Sequence, residues 1–167
     1  RKKLNLISYG DLLKKLDPDV IITQSQCSVC AVSLKDVEEC LSKFINKKPL
    51  LIDLKPNTFE EVLNDINLVG EKLNKREESN FLVKNMKKEI NKIKAKTLSS
   101  KIKNVLCIEW IEPIMTAGNW IPQLVKFAGG KNVLAKSGKN SSFIKLEHIN
   151  FKEVDIVIFM PCGFDIK

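Results

Sequence analysis

The chain has 167 residues, with 28 Lys plus Arg against 20 Asp plus Glu for a formal net charge of +8, and it is 44% hydrophobic and 29% charged. These proportions lie near globular averages and exclude a disordered, collagen-like or fibrous chain. At this length roughly 70% of the unfolded surface can be buried, and no stretch approaches the ~20 consecutive apolar residues of a membrane-spanning helix.

The first block, to about Leu54, alternates helix and strand. Tyr9, Leu12, Leu13 and Leu16 keep a helical period that stops at Asp17-Pro18-Asp19, and Val20-Ile21-Ile22 then reads as a buried strand. After a loop from Thr23 to Cys30, a second helix carries Val37, Leu41 and Phe44 on one face. Lys48-Pro49 ends it before the second buried strand, Leu50-Leu51-Ile52. Apolar strand runs alternating with helices indicate a parallel sheet covered on both faces.

The middle block is helical and polar. Thr58 followed by Glu61 has the spacing of a capping box, in which hydroxyl and carboxylate each satisfy a backbone N–H that the helix leaves unpaired. Phe59, Val62, Leu63, Ile66 and Val69 continue the stripe until Gly70 to Lys75, where the phase weakens. A second helix of twenty-odd residues, with Phe81, Leu82, Met86, Ile90 and Ile93, is long enough at roughly 30 Å to join two bodies. The third block returns to the logic of the first: Val105 to Ile108 as a strand, Trp120 to Phe127 as a helix ending at Gly129-Gly130, and Val154 to Met160 as a strand. The expected domains are therefore 1–57, a connector at 58–100, and 101–167.

Between Glu71 and Lys103 there are eleven basic and four acidic residues, so nearly all the net charge sits on one segment. Phe81 is its only aromatic residue. A stripe without stacking partners or a reading helix is the solvated face of a helix rather than a nucleic-acid footprint.

Several chemistries are absent. There is no dinucleotide or phosphate-loop fingerprint and no nucleophile elbow, and His148 is the sole histidine, which excludes sites built on two or three imidazoles. The five cysteines, Cys27, Cys30, Cys40, Cys107 and Cys162, are too few for a disulfide scaffold and odd in number. Cys27 and Cys30 form a C-x-x-C between a strand and a helix, a setting that favours a lowered thiolate pKa, so a thiol oxidoreductase is an alternative reading. No second pair at suitable spacing supports a structural metal.

Ligands of parallel α/β sheets bind beyond the carboxyl ends of the strands. Three such ends are chemically rich: Gln24, Gln26 and Cys27; the stretch Glu109 to Trp120, with Trp110, Pro113, Met115, Asn119 and Trp120; and Cys162, Gly163 and Phe164. Aromatic faces with amides and few charges suit a large, partly apolar, amide-bearing ligand.

The stretches PDVIITQSQCSVCAV, TFEEVLNDINLVGEKLNKREE, VLCIEWIEPIMTAGNWIPQLVKFAGG and VDIVIFMPCGFD resemble the substrate-binding proteins of cobalamin and iron-chelate ABC importers, and the third looks like the cobalamin branch. The resemblance implies an α/β fold of two Rossmann-like lobes with parallel sheets joined by one long helix. It also implies a monomeric, non-enzymatic clamp without a cofactor of its own, which holds a corrinoid between its lobes for a membrane permease. Carried over, it puts Gln24, Gln26 and Cys27 on one rim and Trp110, Pro113, Met115, Asn119, Trp120, Cys162, Gly163 and Phe164 on the other. A periplasmic or membrane-associated extracytoplasmic location follows from the resemblance. A ferric siderophore or haem on the same fold is the alternative ligand, disfavoured because anionic chelates usually call for Arg or Lys, of which the rims contain almost none. Arg1-Lys2-Lys3 has no initiator Met or export signal after it, and the chain stops in a loop after its last strand, so it is expected to be a piece of a longer protein, incomplete at both ends.

Overall fold

Two compact units, Arg1–Lys55 and Pro56–Lys167, divide the chain. A computed structural model describes residues 10–26, 34–44 and 48–161.

In the first unit, α1 (Gly10–Leu16) ends where Asp17 takes a left-handed conformation, φ 40°, and the chain turns into β1 (Val20–Gln24). After α2 (Leu34–Phe44) comes β2 (Leu50–Leu54), which lies parallel to β1 in continuous register from Val20 opposite Leu50 to Gln24 opposite Leu54. Both strands run two residues beyond their apolar triplets, so Thr23 and Gln24 belong to β1 rather than to the expected loop. Ile52 is buried, whereas Ile22 and Leu50 are exposed, so within the described residues this sheet is not covered on both faces as expected.

The second unit opens with the expected capping box. Thr58 Oγ1 accepts from Glu61 N, while Glu61 Oε2 accepts from Thr58 N at 2.9 Å and from Asn57 N at 2.6 Å, starting α3 (Phe59–Lys72). The weakened phase after Gly70 is a real break: Asn74 adopts φ 57° and α4 (Arg76–Thr97) begins two residues later. Gly70 sits where a Cβ would lie 2.2 Å from Ser79 Oγ, so the absent side chain is what lets α3 and α4 approach. The two helices share a core of Phe59, Leu63 and Val83, with α5 (Ile121–Phe127) against them. The middle segment, read from sequence as a connector, thus packs with the second unit.

The sheet of this unit is centred on β3 (Asn104–Trp110). One edge of β3 pairs with β7 (Ile156–Phe159) in parallel. Its opposite edge pairs with β5 (Lys131–Asn132) in parallel and with β4 (Met115–Thr116) antiparallel, and β6 (Ser142–Phe143) extends the sheet beyond β4. The sheet is therefore mixed rather than wholly parallel, because the chain doubles back after Trp110 through a tight reversal instead of a helical crossover. Leu106, Cys107 and Ile108 are buried, and Cys107 lies in a cluster with Val105, Ala117 and Val125, where burial pushes its thiol pKa up. β7 departs from expectation: a nearly continuous apolar run predicts a buried strand, yet all four residues are exposed, Phe159 by 62%. Among the described residues β7 has β3 as its sole neighbour, so its backbone pairs on one side only.

Candidate ligand-binding site

In the first unit, the parallel register brings the ends of β1 and β2 side by side. Ser25 N donates to Leu54 O at 3.3 Å, continuing the ladder, and Ser25 Oγ donates to Asp53 Oδ2 at 2.7 Å. Lys55 Nζ reaches the same oxygen at 2.9 Å. Burial raises the Asp53 carboxyl pKa, but the hydrogen bonds from Lys55 and Ser25 and the Lys55 charge outweigh it and leave the group below the ordinary aspartate value. Gln24 Nε2 donates to Gln26 Oε1 at 2.6 Å. Two atoms at this end are buried without a partner among the described residues: Gln26 Nε2 and Asp53 Oδ1.

The corresponding end of the second unit is built differently. Trp110 closes β3, faces Met115 of β4 across the sheet, and donates its indole N–H to Glu112 O at 2.9 Å. Between them lie Glu112 and Pro113, joined by a cis peptide, with Pro113 exposed. Beyond β4 the chain passes through Gly118 and Asn119, and Asn119 takes φ 52°, a left-handed conformation that asparagine tolerates. This turn is clamped to the 138–141 loop. Asn119 N donates to Lys139 O at 2.6 Å, Gly138 N donates to Asn119 O at 3.0 Å, and Gly118 N donates to Ser141 Oγ at 3.1 Å. Ser141 Oγ in turn donates to the Glu109 carboxylate. A Cβ on Gly118 would lie 2.5 Å from Lys139 O, so only glycine fits the close approach of the two loops.

Of the residues chosen from sequence, Trp110, Pro113 and Met115 therefore gather at one turn, with Asn119 following after β4. Gln24 and Gln26 bond to each other in the first unit. Trp120 goes elsewhere: it starts α5 and packs against the α3–α4 cluster with Leu124 and Phe127. Cys27, Cys30, Cys162, Gly163 and Phe164 lie outside the described residues. Sequence reasoning missed Ser25 and Asp53, although a single aspartate in the run Leu50 to Leu54 was a visible signal, and it missed Glu109 and Ser141, whose pairing has no local signature. Two surface grooves, of about 680 Å³ at Asn74, Arg76 and Phe81 and about 450 Å³ at Lys94, Gln123 and Phe127, include none of the strand-end residues. Among the described residues, no three or more His, Cys, Asp or Glu side chains form a group able to hold a metal ion.

The sequence profile of a family described as periplasmic binding protein matches residues 5–167. This chain belongs to the periplasmic binding protein family. As a family, periplasmic binding proteins hold solutes rather than transform them. Solved structures with the same fold include an ABC transporter substrate-binding protein from Listeria monocytogenes EGD-e, 19% identical with a TM-score of 0.74 over 93% of this chain and 58% of that one. The periplasmic vitamin B12 binding protein BtuF of Vibrio cholerae is 15% identical, with a TM-score of 0.63 over 89% of this chain and 56% of its own. S. aureus IsdE, complexed with heme, is 23% identical with a TM-score of 0.64 over 92% of this chain and 58% of its own. This periplasmic binding protein thus spans a little over half the length of those structures. No curated protein matches it in sequence.

Proposed function

We propose that the protein is the extracytoplasmic substrate-binding component of an ABC importer, and that it captures a corrinoid such as cobalamin for delivery to a membrane permease. The observation that carries this reading is the turn that joins Trp110, Pro113 and Met115 at the end of β3. It offers an aromatic face, a proline and a thioether, with the indole N–H already satisfied, which suits a broad, partly apolar ligand. Beside this turn stand the carboxylates of Glu109, which accepts from Ser141, and Glu112, an arrangement that suits an uncharged, amide-bearing ligand better than an anionic chelate. Cys162, Gly163 and Phe164 are further proposed contacts, with Asn119 supplying an amide and Trp120 anchoring α5. No helix among the described residues is long and apolar enough to cross a membrane.

Titration with cyanocobalamin, followed by tryptophan fluorescence, tests the assignment, with haem and a ferric siderophore as comparators. Saturable quenching by the corrinoid alone, weakened in Trp110→Ala, is the expected result. The heme-bound IsdE among the structural neighbours makes haem the second reading, and saturation by haem with none by cyanocobalamin would install it.

A further inference from the structure

The three most exposed large apolar side chains among the described residues are Leu98 at 85%, Phe81 at 68% and Ile102 at 67%, and all lie on α4 or just past its end. From Phe81 to Lys103 this segment carries eight lysines, no arginine and a single acid, Glu89. Glu89 is taken by Lys92 at 2.6 Å. Lys84, Lys87, Lys88 and Lys96 are exposed and have no carboxylate at ion-pairing distance among the described residues. Leu98 keeps a helical backbone, φ −59° and ψ −34°, so it continues the face of the helix before it. At about 100° per residue, Phe81, Lys84, Lys88, Lys92 and Leu98 fall within one third of the helix circumference. They lie opposite Val83, Met86 and Ile90, which pack into the cluster with Phe59 and Leu63. The outer face of α4 is thus a strip about 25 Å long, lysine-rich in its middle and apolar at both ends.

We propose that this strip docks on an anionic phospholipid bilayer, its lysines against the headgroup charge and Phe81, Leu98 and Ile102 entering the headgroup layer. Lysines near an anionic membrane are attracted in proportion to their number, and exposed apolar side chains gain only where a partner removes them from water. A bilayer surface supplies both at once. Lysine without arginine, and one ring without others, decide against the other polyanions. Nucleic-acid contact relies on the arginine fork and on several stacking rings, and Phe81 is the only ring on the strip. Protein interfaces are enriched in arginine and depleted in lysine. Because the inner face of α4 is already occupied by α3 and α5, the helix rests on the surface instead of sinking into it. The proposal concerns where the protein rests and stands apart from the choice of solute.

The test is co-sedimentation of the full chain with vesicles of equal parts phosphatidylglycerol and phosphatidylcholine, against vesicles of phosphatidylcholine alone. Binding to the anionic vesicles only, weakening as salt is raised, is the expected result. Lys84→Gln combined with Lys88→Gln should lower the partition coefficient about thirtyfold. The same charge change at Lys136 and Lys152, exposed lysines off this helix, should lower it far less. Phe81→Ser combined with Leu98→Ser should weaken vesicle binding about tenfold and leave the thermal midpoint nearly in place, since both side chains are exposed. No preference for the anionic vesicles, or an equal loss from the Lys136 and Lys152 pair, overturns the proposal. Retention of a DNA duplex at the salt that releases the vesicles, with vesicle binding unmoved by the Phe81 and Leu98 changes, overturns it in favour of nucleic acid.

Discussion

Trp110 and Trp120 stand ten residues apart, one ending the buried strand β3 and the other soon after it, yet their surroundings share little. Trp110 ends β3, opposite Met115, and satisfies its N–H within its own turn, so its ring belongs to the strand end. Trp120 starts α5 and joins Phe59, Leu63 and Val83 through the face that α5 turns toward α3 and α4. That face is tied down by more than apolar contact: Gln123 Oε1 accepts from Phe59 N at 2.7 Å, the Phe59 and Phe127 rings meet edge to face at 5.5 Å, and Lys94 Nζ lies 4.0 Å from the Phe127 centroid. The left-handed turn at Asn119 separates the two fates, since it redirects the chain from the sheet into the helical layer. Whether a tryptophan near a strand end stays with the sheet or packs into the helical layer is therefore set by the backbone that follows it, not by its type.

The contrast can be broken most forcefully at Trp120. Trp120→Ala should cost about 3 kcal/mol of stability through the cavity left between α3, α4 and α5. The thermal midpoint should drop by roughly 6–12 °C in calorimetry. Next comes the helical scaffold on which Trp120 rests: Gly70→Ala puts a methyl 2.3 Å from Ser79 Cβ, forcing α3 and α4 apart. A loss of about 2 kcal/mol of unfolding free energy, read from urea denaturation, is expected, where an open helical glycine would gain from alanine.

Trp110→Ala is the sharpening counterpart. It should weaken cyanocobalamin about tenfold, or about 1.4 kcal/mol, while moving the thermal midpoint far less than Trp120→Ala. If both variants lost stability equally, the division between strand end and core would fail.

The smallest effect concerns acid. Backbone N–H groups of Asn57 and then Thr58 hold the Glu61 carboxyl below its ordinary value of 4.5. A carboxylate whose folded pKa is depressed stabilises the fold fully above the unfolded value, and the contribution is lost as pH falls through the folded one. Urea midpoints should therefore decline below about pH 4.5, and Glu61→Gln should flatten that decline without affecting Trp110 or its ligand.

Local chemistry explains what was legible beforehand. The break at Asp17-Pro18, the capping box at Thr58 and Glu61, and the end of α5 near Gly129 involve neighbours within four residues, and each formed as expected. The reversal from β3 into β4 was not legible, because Glu109 to Trp120 reads equally as a long loop. What makes it a strand pair is the antiparallel match of Met115 with Trp110 and the clamp from Ser141. The exposure of β7 was hidden for a related reason: hydrophobicity says that a segment suits a sheet interior, while its burial depends on which strands and helices lie beside it.

By itself, then, the sequence determined the α/β class, most element positions and the chemical richness of the strand ends, since periodicity, caps and breakers act over a few residues. Only the tertiary structure decided that Trp120 faces the helices, that the second sheet is mixed, and that Asp53 and Gln26 each keep one buried polar atom unpaired. Those outcomes depend on which distant groups meet and which hydrogen-bonding capacity their meeting leaves over, and neither is a property of any short stretch of chain.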